Sequence, residues 1–210
     1  MRKITVEYTV YDYSELSKEA KQKVKDWHLN NPFRSNDFSD ICAEFLSACF
    51  PKSDLKTQFS LQYCQGDGLN IYGKLNLKDI ASDELVEYLP ADIVFTEKEK
   101  KTLKRYAQEC GYEISIPCNY RYCYCIADRI DLAGYWESIL TEINYPRFKN
   151  INMDVIKKLE SYIINLFEKI CEIQEAAGYQ FFYEITDEEM EDVCEANDFV
   201  FLEDGSLFSE

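Results

Sequence analysis

The sequence predicts an α+β fold: an antiparallel sheet built from hairpins, helices packed on one face, and a helical C-terminal part. Three observations carry this expectation. In "TQFSLQYCQGDGLNIYGKLNL" two alternating runs flank Gly66-Asp67-Gly68, the pattern of a hairpin whose glycines can take positive φ. From Val155 to Ile173, apolar residues recur at helical spacing through Leu159, Tyr162, Ile163, Leu166 and Ile170. Two capping boxes, Thr96 with Glu99 and Thr186 with Glu189, mark the starts of two further helices.

Taken in order, residues 3–11 (KITVEYTVY) alternate and predict a first strand. Ser14 or Ser17 then caps a helix, "SKEAKQKVKDWHLNN", ending near Asn30 and Asn31 before Pro32. "FSDICAEFLSACF" predicts a second helix, with Ile41, Phe45, Leu46 and Cys49 on one side and Pro51 as its stop. After the hairpin come a short helix over 79–89 and a clearer one in "TEKEKKTLKRYAQECG", closed by Gly111. "YEISIPCNYRYCYCIADRI" returns to strand character, broken at Pro117. The longest helix is expected over 152–177, ended by Gly178. "TDEEMEDVCEAN" forms another helix, and "FVFLEDGSLF" a small hairpin around Asp204-Gly205. A single α+β domain over 1–210 is the simplest organisation, with 145–150 as the place of any subdivision.

With 46% hydrophobic residues, 16 Tyr and 13 Phe, the chain can bury a core and is too apolar for a disordered one. No apolar run approaches the roughly 18–20 residues of a membrane helix. The alternating, acid-bearing start does not read as a secretory signal. A cytoplasmic protein is therefore expected, with its nine cysteines mostly reduced. An odd count there argues for buried thiols or metal ligands over a disulfide framework.

Chemistry is sparse. No Gly-rich phosphate loop, G-x-S-x-G elbow or H-E-x-x-H motif is present. The single histidine, His28, leaves general-base schemes without their usual proton carrier, so no catalytic residue is assigned. A metal-dependent enzyme stands only as an alternative. "PCNYRYCYC" places Cys118, Cys123 and Cys125 close together; on a strand, Cys123 and Cys125 share a face. With Cys64 and Cys118 they make a candidate structural zinc site, at Zn–S of about 2.3 Å. Cys110 and His28 are further candidates. The C-x4-C-x-C spacing is not a paired C-x2-C signature, and the interleaved tyrosines equally suit thiols packed in a half-buried strand. Cys42, Cys49, Cys171 and Cys194 lie on apolar helix faces and read as packing residues.

The net charge of −16 is uneven: after Lys169 there is no Lys or Arg, and 13 acids fall in 170–210. Such a surface repels nucleic acid and membrane phosphates and attracts basic grooves. Glu188, Glu191, Asp192 and Glu195 form one charged stripe at spacings of three and four, with no basic residue nearby in sequence. Glu203 and Asp204 extend the candidate partner-binding set, and Phe199, Phe201 and Phe208 either anchor a partner or join the core.

Several segments resemble a group of phage and mobile-element proteins: Glu15-Leu16-Ser17 with Ala20-Lys21 and Lys23-Val24, Gln65-Gly66-Asp67-Gly68, Tyr120-Arg121-Tyr122, and Ala196-Asn197 with Phe199 and Asp204-Gly205. Members of that group often carry histidine after the "YRY", where this chain has Cys123 or Cys125, an exchange that keeps a metal-binding side chain. The resemblance implies an anti-defence protein, most concretely an anti-CRISPR that binds Cas9 through an acidic surface. It also leaves an antitoxin that neutralises a toxic partner as an alternative.

Overall fold

The computed structural model describes residues 6–80, 95–118, 121–143 and 151–209. The chain is α+β, with a three-stranded antiparallel sheet and a helical C-terminal part. It gathers into two compact units, Ser39–Gly178 and Met1–Phe38 with Tyr179–Glu210.

The first unit holds the sheet, β1 (Asp54–Ser60), β2 (Gly68–Asn76) and β3 (Glu113–Ile116), in the order β1-β2-β3. Register runs from Asp54 opposite Lys74 to Ser60 opposite Gly68, and from Gly73 opposite Ile116 to Asn76 opposite Glu113. Side chains alternate across a strand, so Leu69, Ile71, Leu75, Ile114 and Ile116 share one face, and all five are buried. Lys74, Glu113 and Ser115 share the other and stay exposed. Helices supply the rest of the core. Phe50, just past α2 (Arg34–Cys49), stacks on Phe167 of α5 (Met153–Tyr183) at 5.5 Å, and Tyr106 of α3 (Glu97–Cys110) meets Trp136 of α4 (Leu132–Glu142) edge-on at 6.4 Å. Each such buried aromatic or aliphatic side chain stabilises the fold by roughly 1.5–3 kcal/mol. Both capping boxes form: Thr96 with Glu99 opens α3, and Thr186 with Glu189 opens α6 (Asp187–Ala196).

The second unit packs α1 (Lys18–Leu29) with α6. Ala20 and Val24, one helical turn apart, and Leu16 just before the helix bury against Met190, Cys194, Tyr13 and Phe201. Ser17 caps α1 by accepting from the Ala20 amide at 3.2 Å. Gly205 (φ 80°) lies directly on the Ala20 carbonyl.

Several expectations are corrected. Residues 6–10 form no strand; of the described residues in this stretch only Tyr11 pairs, in a bridge to Phe201. Cys42, not Ile41, takes the core position on α2, because the buried stripe runs through Phe38, Cys42, Leu46 and Cys49. Helix α5 passes through Gly178 to Tyr183, since glycine ends a helix only where the backbone turns left-handed, and Phe181 and Phe182 pack on Phe38 beyond it. Residues 121–125 form no strand, so alternation does not order Cys123 and Cys125. Helix α4, started by Asp131 accepting from the Gly134 amide at 2.8 Å, was not anticipated. The helix expected over 79–89 falls mainly on residues outside the described set, as does the boundary near 145–150. Among the described residues no helix is long and apolar enough to cross a membrane.

Candidate functional site

The acids of α6 divide by what they touch. Glu189 is occupied locally: its carboxylate accepts from the Thr186 amide and hydroxyl, both at 2.8 Å, and these bonds hold it below its usual range. Asp187 accepts from the Tyr13 hydroxyl at 2.9 Å and pairs with Lys25 at 2.6 Å, which lowers its pKa. Asp204 pairs with Lys23 at 2.8 Å and accepts from the Ser206 amide at 2.9 Å, and is pushed down to about 2. The expectation that no basic residue neutralises this stretch is thus corrected for Asp187 and Asp204: α1 brings its lysines across.

The stripe itself stays uncompensated. Glu188, Asp192, Glu195 and Glu203 are exposed and Glu191 is half-buried. None forms an ion pair among the described residues. Glu191 and Glu195 line a pocket of about 310 Å³ with Asp12, Tyr13, Asp198 and Phe199, and its described lining includes no Lys or Arg. Burial and the bond to Asp187 raise the Tyr13 pKa strongly, so its phenol is neutral at any physiological pH. Of the three candidate aromatic anchors, Phe201 is core, Phe199 packs edge-on to Trp27 at 5.6 Å, and Phe208 leans on Tyr8 at 5.5 Å. Asp12 carries no local mark as a pocket residue, because its proximity to α6 is tertiary, whereas Asp198 lies just past the end of that helix.

The cysteine candidates surround the turn between β1 and β2. Asp67 ties this turn, accepting from the Ser60 hydroxyl and the Gln62 amide at 2.6 Å, the Cys64 amide at 2.9 Å and the Cys64 thiol at 3.1 Å. These donors hold its carboxyl far below the ordinary range. The Cys123 amide donates to the Gly66 carbonyl at 3.0 Å, docking segment 121–125 on the turn. Gly66 (φ 93°) lies against the Tyr122 ring, where a Cβ would sit 2.2 Å from a ring carbon.

The four thiols differ in their surroundings. Cys64 is exposed, and its bond to Asp67 raises its pKa. Cys123 is half-buried and raised by burial, then by Asp67 and Cys118. Cys118 donates to Gln58 Oε1 at 3.5 Å. Cys125 is hydrogen-bonded to Cys171 on α5; the bond favours the Cys125 thiolate, while it and burial hold Cys171 protonated. Among the described residues no three His, Cys, Asp or Glu side chains come together as metal ligands. Cys110, buried and pushed up to about 11, points at the Trp136 carbonyl, 3.9 Å away. His28 accepts from the Arg34 guanidinium, and its pKa is lowered by burial and by that cation. Arg34 also donates to the Phe181 carbonyl and lies over the Phe181 ring at 4.2 Å, which gives this histidine a structural role.

No family model matches the chain, and no curated protein or solved structure does.

Proposed function

We propose that the chain is a non-enzymatic, stoichiometric inhibitor that docks the acidic face of α6 on a basic, nucleic-acid-handling surface of a partner protein. In the concrete form that its resemblance implies, it is an anti-CRISPR that binds Cas9 and blocks DNA loading or cleavage. The observation that supports this reading is the division of charge on α6: structural acids are paired or capping, while the exposed Glu188, Asp192 and Glu195 and the half-buried Glu191 have no ion pair among the described residues.

The row from Glu188 to Glu195 spans about 10 Å along a helix rising 1.5 Å per residue. Duplex DNA presents about one charge per 1.7 Å of axis, so a preordered row of carboxylates competes for the same cationic groove. The pocket beside it, walled by Asp12, Glu191, Glu195 and Asp198, admits a lysine or arginine side chain with aromatic contact from Phe199.

The test is cleavage of a duplex target by Cas9–guide complex with rising amounts of the protein. Inhibition that saturates near one protein per Cas9, and weakens as salt rises, is the expected result. Complete cleavage at large excess would remove Cas9 as the partner. Unchanged inhibition by a Glu188→Lys/Glu191→Lys variant would remove the acidic face from the mechanism.

A further inference from the structure

We propose that copies of this chain associate by strand addition, residues 6–10 of one copy pairing with the open edge of β3 in another. This rests on the backbone and is independent of the inhibitor reading.

The Leu77 amide donates to the Tyr112 carbonyl at 2.8 Å, and with the register this fixes which groups β3 turns toward β2. Hydrogen-bonded and non-bonded pairs alternate in an antiparallel ladder, so Ile114 and Ile116 face β2 with their N–H and C=O. Glu113 and Ser115 turn theirs the opposite way, to the sheet's outer edge. Those outward groups have no hydrogen-bond partner among the described residues. Beside the edge lies a groove of about 530 Å³ in which the apolar Ile114, Ile130, Leu132 and Tyr135 alternate with the charges of Lys74, Glu113, Arg129 and Asp131. An open edge above a partly apolar groove is the geometry that accepts an added strand.

The same chain carries a strand-like alternation outside any sheet. Residues 6–10 (VEYTV) form no regular secondary structure, and no backbone hydrogen bond joins them to other described residues. Val6, Tyr8 and Val10 are 60%, 61% and 39% exposed, unusual for a β-patterned apolar row. Five residues extend about 17 Å at 3.4 Å each, enough to cover the four of β3. The charges also match. Lys74 and Glu113 pair with each other at 3.9 Å, whereas Arg129 has no ion pair among the described residues. Glu7, the one acid of the segment, supplies that counter-charge. A second copy is therefore the occupant the molecule itself provides.

The test is mass by light scattering or sedimentation from micromolar to millimolar protein, in salt near 0.15 M so that net charge does not mask association. Mass should rise with concentration. Ser115→Pro, which deletes an outward N–H, and Glu7→Arg should each lower the association constant by about tenfold, the loss of one hydrogen bond or ion pair in a desolvated contact. Arg129→Glu should restore association to the Glu7→Arg chain. Both charge substitutions are at exposed positions, so they remain informative if Ser115→Pro perturbs β3. A single-copy mass throughout, association that neither substitution changes, or failure of the charge swap to restore it would overturn the proposal.

Discussion

Helix α6 and the segment 121–125 each concentrate one kind of side chain, carboxylates in the first and thiols in the second. On α6 the spacing survives folding, because residues three and four apart stay neighbours on any helix. Distant lysines only remove Asp187 and Asp204 from the free set. In 121–125 the spacing does not survive. Without a strand, its two cysteines answer to different neighbours: the Cys123 amide donates to the Gly66 carbonyl, and the Cys125 thiol bonds to Cys171 on α5. A cluster in sequence remains a cluster in space only where local backbone geometry enforces it.

The largest effects should come from the glycines that hold each region together, and their obstacles differ in kind. At Gly205, against α1, which packs on α6, a Cβ would meet the Ala20 carbonyl oxygen at 2.5 Å, and backbone cannot step aside. At Gly66 the obstacle is the ring of Tyr122, which can rotate away. With both at positive φ, Gly205→Ala should cost about 3 kcal/mol and Gly66→Ala about 1–2 kcal/mol by denaturant unfolding. The reverse order would mean that the 121–125 segment is clamped more rigidly than its contacts imply.

Next in size is the effect on partner binding. Glu188→Lys with Glu191→Lys should weaken the proposed partner's affinity roughly tenfold or more, with the unfolding midpoint nearly unchanged. A large loss of stability would show that these carboxylates hold the fold, as Asp187 does, and would erase the distinction drawn on α6.

How much was legible follows the same line. Both capping boxes, the Ser17 cap, the hairpin across Gly66-Asp67-Gly68 and the apolar stripe of α5 are local signals, and each formed. Helix α4 went unread because its cap, Asp131, follows directly on a cysteine- and tyrosine-rich run with strand-like alternation. Alternation at the N-terminus reports β-propensity but not a partner, and among its described residues only Tyr11 finds one. Of the acidic site, the outward row on α6 was readable. The pairing of Lys23 and Lys25, and the contribution of Asp12 to the pocket, were not, since they join residues more than 150 positions apart.

The thiols offer a smaller, sharper test. With Cys64, Cys118 and Cys123 replaced by serine, the pH dependence of Cys125 alkylation reports its thiolate. Cys171→Ala removes the donor and should shift that profile to higher pH. An unmoved profile would break the Cys125–Cys171 pairing.

The smallest effect distinguishes the two regions by salt. Asp204, near α6, and Asp67, in the cysteine turn, both have folded pKa values below the unfolded 3.8. Each therefore contributes stability that is complete above about pH 4 and is lost as pH falls through the folded value. Their causes differ. Asp204 is lowered first by Lys23, an exposed pair reaching across 181 positions, whereas Asp67 is lowered by uncharged donors of its own turn, Ser60 and Cys64 first. Raising salt to about 1 M shortens the screening length to about 3 Å and weakens exposed ion pairs, but leaves hydrogen bonds from neutral groups largely intact. In an NMR titration of side-chain carboxyl carbons, Asp204 should move up from about 2 toward its ordinary value while Asp67 stays low. Lys23→Met should reproduce the salt effect on Asp204 alone. If both carboxyls moved together, the turn around the cysteines would owe its order to charge after all, and the contrast between a region set by distant ion pairs and one set by its own loop would fail.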